Sequence, residues 1–228
     1  MQRIIALLAI CFLATGLFAQ PTNNYTSSAD SDPEALKLVK ALKAKYEGMA
    51  NIEAMFRMDI ELPGQAIESQ KGSMARSGDK FHFKLAGQEG ISDGKAIYVI
   101  MHDNKSVNIE NMPEADEESG MLTPQNLLTF YDLDKYIFAL QGEETVSGKR
   151  LQTIELKPVD RDESEFIKLR MTVDAKAKQV SSLAAFSRDG SRFTFYLDQL
   201  NDNPALDASR FVFKKSDYPG YYVEDLRF

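Results

Sequence analysis

Tryptophan is absent from the 228 residues, cysteine occurs once and histidine twice. A single cysteine excludes an internal disulfide framework and a thiolate-rich metal site. The two histidines, His82 and His102, lie on or beside strand patterns with no neighbouring cysteine and no HExxH spacing, so both read as ordinary strand residues rather than metal ligands. No Gly-x-Ser-x-Gly elbow accompanies them. Gly87, Gly90 and Gly94-Lys95 suggest a phosphate loop only superficially, because that motif needs glycine where Glu89 stands and serine or threonine where Ala96 stands. The acidic run Glu114, Asp116, Glu117, Glu118 lacks the spacing and central glycine of a calcium loop and reads as a solvated loop. Basic charge is in the minority, 27 Lys and Arg against 34 Asp and Glu for a net charge of −7, which argues against a nucleic-acid partner needing a basic face. No repeat of a few tens of residues suggests a solenoid or propeller. Nothing here supports an enzyme or calls for a cofactor.

What is present begins with a leader pattern. Arg3 precedes an apolar run from Ile4 to Phe18, and Leu17-Phe18-Ala19 ends it, which predicts a signal peptide over residues 1–19 cleaved after Ala19 and hence export. The run falls short of the ~20 apolar residues a membrane span needs. Cys11 lies inside it and is expected to be discarded. Residues 20–34 begin with a polar stretch lacking periodicity and are expected to form a flexible tether. The remainder, 35–228, is expected to be a single domain, with a monomer as the expected state.

Ser31-Asp32-Pro33-Glu34 supplies a capping residue, a proline for the first turn and an acidic first turn. Leu36, Val39, Leu42 and Tyr46 then recur at helical spacing, and Gly48 can end the helix. From Ala54 the period drops to two. Phe56, Met58, Ile60 and Leu62 alternate with charged residues, and the same pattern returns at Phe81–Leu85, Ile167–Val173 and Phe193–Leu197. Weaker strands are expected at 71–76, 96–101, 105–109, 151–157, 180–187, 209–213 and 221–226. Turn pairs at Ser77-Gly78, Asp93-Gly94, Ser147-Gly148 and Asp189-Gly190 separate them. Thr123-Pro124 opens a second helical run carrying Leu127, Leu128, Phe130 and Tyr131. Short turns make the strands antiparallel, and alternation gives each one buried and one wet face. A strongly curved sheet or open barrel with helices over its mouth meets these demands; so does a two-layer sandwich.

The order of elements resembles the periplasmic lipoprotein carrier family LolA. The segments that carry the likeness are "LKAKYEGMANIEAMF" from Leu42 to Phe56, "GSMARSGDKFHFKL" from Gly72 to Leu85, "ISDGKAIYVI" from Ile91 to Ile100, "LTPQNLL" from Leu122 to Leu128, and the closing "SRFVFKKSDYPGYYVEDLRF". Phe83 stands at a place where the family often has tryptophan.

The resemblance implies a mainly β, α+β fold: an incomplete antiparallel barrel, one strongly curved sheet, with an N-terminal helix and a lid helix over an apolar cavity. It implies a periplasmic carrier that shields the acyl chains of lipoproteins between the inner and outer membranes. The implied partners are acylated lipoproteins, an inner-membrane lipoprotein-releasing transporter and an outer-membrane acceptor. Arg76 matches the family's arginine that holds the lid through backbone carbonyls. Tyr46, Met49, Phe56, Phe81, Phe83, Leu127 and Leu128 match its acyl-chain lining, although each could equally be plain core. Two alternatives stand beside the carrier: a lipid, glycolipid or lipoprotein-sensing binding protein on the same fold, and a filled β-sandwich that only binds other proteins.

Overall fold

The computed structural model describes residues 27–112, 133–162 and 164–227. The expected leader and the first part of the tether lie outside them, as does the expected second helix with Leu127 and Leu128. One α-helix appears among the described residues, α1 (Pro33–Glu47). Asp32 caps it by accepting hydrogen bonds from the N–H groups of Glu34 and Ala35, Pro33 occupies the first turn, and Gly48 closes the other end. Ala35, Val39, Leu42 and Tyr46 form its buried stripe at helical spacing.

The strands are β1 (Asn51–Glu61), β2 (Glu68–Ser77), β3 (Lys80–Leu85), β4 (Gln88–Ser92), β5 (Ala96–Met101), β6 (Ser106–Asn111), β7 (Tyr136–Val146), β8 (Lys149–Pro158), β9 (Phe166–Asp174), β10 (Gln179–Ser187), β11 (Arg192–Asp202) and β12 (Tyr222–Asp225). They form one sheet in the order β12-β6-β5-β4-β3-β2-β1-β11-β10-β9-β8-β7. Neighbours pair antiparallel except at the edge, where β12 joins β6 in parallel.

This corrects the expected architecture. The described residues form a mixed twelve-stranded sheet that neither closes nor curls strongly, not a strongly curved open barrel. The reason is that period-two alternation specifies a buried face and says nothing about closure, which needs strand tilt and register to match around a ring. All strands among the described residues belong to this one sheet, so they do not form the two-layer sandwich. The hairpin signals hold: Gly78, Gly94, Ser147, Gly148 and Gly190 all have positive φ in tight turns between neighbouring strands. Two strands carried no clear signal. β4 is buried along four consecutive residues, and β7 is buried in its first half and exposed in its second, so neither alternates. The strand expected at 209–213 is instead a 3-10 turn, Ala208–Phe211, followed by irregular chain.

Most of the core lies on one face, between the sheet and α1, where Phe56, Phe81, Phe83, Phe138, Met74 and Met171 are buried. A second, smaller cluster lies on the opposite face: Ile91, Ile100 and Val107 pack with Tyr98, Phe213, Tyr218, Tyr221 and Val223. It forms because the chain leaving β11 crosses that face as a strap to reach β12 at the far edge. Arg210 pairs with Glu53 on the way, at 2.8 Å, and Phe213 stacks on Tyr98 with ring centres 4.7 Å apart.

Candidate functional site

The apolar face is built by alternation. On β1, Ile52, Ala54, Phe56 and Met58 are all buried on that side, while Met55 on the other side is 55% exposed. Their register partners continue the face: Phe56 lies opposite Gly72 on β2 and Leu197 on β11, and Met74 lies opposite Phe83. The Phe56 ring meets Phe195 with centres 5.1 Å apart. Two glycines make room for these rings. A Cβ on Gly72 would stand 2.3 Å from Cζ of Phe56, and one on Gly90 would stand 2.1 Å from Cε1 of Phe83. Each phenyl ring therefore lies over the backbone of its neighbour strand, which only glycine allows.

Around this packed centre runs a margin of half-buried apolar side chains, among them Leu85, Leu140, Phe166, Phe193 and Leu200. Two shallow depressions, of about 420 and 280 Å³, share Met55 and Ser73 and so belong to the side of β1 and β2 turned away from Phe56 and Met74.

α1 covers the apolar face and is fixed at both ends. At its start, the N–H of Asp32 donates to the Phe138 carbonyl at 2.8 Å, and the Phe138 N–H donates to Oγ of Ser31 at 3.1 Å, which ties the helix to β7. At its other end the Arg76 guanidinium donates from one nitrogen to the carbonyls of Tyr46 and Met49, each at 3.2 Å. The last carbonyls of a helix lack intrahelical partners and carry the negative end of its dipole, so a cation there satisfies both needs. Arg76 reaches this place because β2 puts it on the apolar side, opposite Ile52 and Phe81. Tyr46 adds a third tie: its Oη accepts the N–H of Val180 on β10 at 3.0 Å. Burial pushes the Tyr46 phenol up to about 12, with the Val180 bond pulling the other way.

The structure thus brings Tyr46, Met49, Phe56, Phe81 and Phe83 into one buried cluster, with Arg76 at its edge under the end of α1. Leu127 and Leu128 lie outside the described residues. Sequence reading missed a polar cluster on the opposite face. Glu89, only 5% exposed, receives both histidines: Nε2 of His82 at 2.5 Å and Nε2 of His102 at 3.3 Å. Lys84 stands 3.2 Å from the same carboxylate, and Tyr218 hydrogen-bonds it from the strap. Burial pushes the Glu89 carboxyl up, but the His82 hydrogen bond and the Lys84 charge outweigh it and hold it at about 2. The available signal was the hairpin itself, since Lys84 and Glu89 face each other across the Ala86-Gly87 turn and His82 follows on the same side. Among the described residues no three His, Cys, Asp or Glu side chains come together as a metal site. No helix among them is long and apolar enough to cross a membrane.

Comparison with known proteins gives these features a context. The model of the family described as outer membrane lipoprotein carrier protein LolA matches residues 48–214. The comparison with curated proteins found no match. Among solved structures, an uncharacterized conserved protein from Thermus thermophilus shares the fold with a TM-score of 0.54 at 6% identity, over 84% of this chain and 99% of the other. A LolA superfamily protein from Nitrosomonas europaea aligns over 78% and 97% of the two chains at 11% identity and a TM-score of 0.41. The lipoprotein LppX of Mycobacterium tuberculosis aligns over 78% and 100% at 13% identity and a TM-score of 0.46.

Proposed function

Since the chain belongs to the outer membrane lipoprotein carrier family LolA, a family of carriers rather than catalysts, we propose that it takes the acyl chains of lipoproteins onto the apolar face beneath α1 and shields them while they cross the periplasm. The observation that carries this reading is the make-up of that face: phenylalanine and methionine rings and chains packed under a helix whose far end rests on Arg76. Methionine adapts its shape to an irregular guest, and phenylalanine offers area with no polar group to satisfy. At ~0.8 kcal/mol per buried methylene, a chain of a dozen carbons gains on the order of 10 kcal/mol on leaving water, enough to compete with the packing it displaces.

In this reading Arg76 is the residue that lets the cover move. Its hydrogen bonds to Tyr46 and Met49 end on carbonyls of the helix terminus and can be exchanged for water or for a cargo carbonyl without unfolding α1. Lipoproteins would be received from an inner-membrane releasing transporter and passed to an outer-membrane acceptor, and residues 1–19 would direct export and be removed after Ala19.

The test is to purify the mature protein from its native periplasm and identify bound lipid by mass spectrometry, with displacement of a fluorescent fatty acid as the second readout. Recovery of acylated lipoprotein, together with saturable probe binding, is expected. A different bound lipid, such as a glycolipid, would overturn lipoprotein as the cargo. A protein that carries no lipid and leaves the probe unbound would overturn the carrier reading itself.

A further inference from the structure

Strands β3 and β4 carry the apolar face on one side and the Glu89 cluster on the other. Phe83 points to the apolar side, while His82 and Lys84, its neighbours on β3, point to Glu89. Gly90 lies under the Phe83 ring so closely that a Cβ there would be 2.1 Å from it, and the next residue back is Glu89 itself. Displacing the Phe83 ring therefore presses on the one stretch of backbone that positions the Glu89 carboxylate. That carboxylate is in turn the anchor of the C-terminal strap: His102 bridges from Glu89 through Nε2 to the Tyr221 hydroxyl through Nδ1, at 3.3 and 2.8 Å. One residue later β12 begins, held to β6 by a four-residue parallel pairing with Tyr222 67% exposed. Upstream the strap is held by the Arg210–Glu53 pair and the buried Phe211, and its last part, from Phe213 onward, is attached by one polar cluster, an aromatic stack and a short edge pairing. Tyr218, Tyr221 and β12 all lie beyond the residues matched by the family model.

We propose that Glu89 couples the two faces of the sheet, so that an acyl chain entering beside Phe83 loosens the C-terminal strap, and loosening the strap makes the apolar face more receptive. This rests on the reading that the apolar face accepts acyl chains. Coupling of this kind is reciprocal by thermodynamic necessity: whatever factor cargo applies to strap release, strap release applies to cargo affinity. The sign follows from the geometry, because the docked strap fixes Glu89, Glu89 fixes its neighbour Gly90, and Gly90 limits where the Phe83 ring can go.

The experiment uses the full mature chain and dansyl-undecanoic acid as probe. Amide exchange is followed at Tyr222 and Leu226, whose N–H groups donate to the carbonyls of Lys105 and Ile109 in the docked strap. Saturation with probe is expected to speed exchange at both sites by about fivefold, the low end of typical coupling. Tyr221→Phe, which removes the hydroxyl on His102, is expected to speed the same amides in the empty protein and to tighten probe binding by a similar factor. His102→Gln gives the same readouts should the first variant fold poorly. Probe binding that leaves strap exchange unchanged or slower overturns the coupling. So does a variant with unchanged exchange, or one with a loosened strap and unchanged or weaker probe affinity. A wild-type protein that does not bind the probe overturns the carrier reading, and this inference with it.

Discussion

Gly90 makes the sharpest demand of any single position, because its missing Cβ is the space occupied by a phenyl ring. Gly90→Ala must push Phe83 off its rotamer or β4 off its register, at a cost of about 1–3 kcal/mol, typical of overpacking. Thermal unfolding of Gly90→Ala should show a lowered midpoint, and combining it with Phe83→Leu should recover part of the loss. Titration supplies a second check at this scale. The Glu89 carboxyl is held at about 2 in the folded state against an ordinary value of 4.5, so its contribution to stability is full above 4.5 and disappears as pH falls towards 2. Stability of the wild type should therefore decline with acid over that interval, and Glu89→Gln should flatten the decline there. The Tyr46 phenol behaves oppositely. Raised from 10 to about 12, it stabilises the fold fully below pH 10 and loses that contribution as pH rises towards 12. Tyr46→Phe should remove this alkaline limb, while leaving the Val180 N–H without its acceptor at a cost of about 1–3 kcal/mol at neutral pH. An unchanged alkaline limb would show that Tyr46 is not the group responsible.

At the scale of the element, α1 was fully legible: Asp32, Pro33 and Gly48 bound it as their chemistry requires, and its buried stripe follows the helical period. The alternating strands β1, β3, β9 and β11 were legible for the same reason, since each has one apolar and one wet side over most of its length. β4 and β7 were not. β4 is covered on both faces, by the Phe83 ring on one and the strap on the other, so burial erased the alternation that identifies strands. The residues matched to the lining were readable as apolar; their assembly under one helix was not, because it depends on how the helix docks on the sheet and on the long-range pairing of β1 with β11. The hydrogen bonds of Arg76 to Tyr46 and Met49 suit the same element-level test. Arg76→Leu should loosen the end of α1, which keeps the Tyr46–Val180 bond, so that amides near its C-terminus exchange faster while those near Asp32 are unaffected. In a reconstituted transfer system this variant should still take up lipoprotein but pass it on poorly. Normal onward transfer would count against a role for Arg76 in holding the cover.

For the whole molecule, the sheet presents two faces of different character that share their strands. The face under α1 holds the main apolar cluster, and the opposite face carries a smaller one where the strap covers it, with charged side chains such as Arg57, Lys168 and Arg170 elsewhere. Phe81→Glu places a carboxylate in the centre of the first, opposite Arg76. If that face takes acyl chains, a folded Phe81→Glu protein should lose most of its affinity for a fluorescent fatty acid, whereas Met55→Glu, at a position 55% exposed on the other face, should leave it unchanged. Equal affinities for the two variants would place acyl binding elsewhere. Closure could not be read from the sequence because every strand pairing that distinguishes an open sheet from a barrel is a relation between edges, and the edge strands β7 and β12 carry no residue pattern that declares whether they meet.

The position of β1 between β2 and β11 has a consequence in time. The strand at the middle of the sheet is among the first parts of the chain to be made, yet one of its two neighbours is among the last, with Asn51 hydrogen-bonded to Asn203 across 152 positions. Until β11 emerges, β1 has an open flank and the apolar face has no second half. Joining the two halves of the sheet therefore waits on a long-range pairing, which is intrinsically slow to form, and the export proposed above would benefit from that delay.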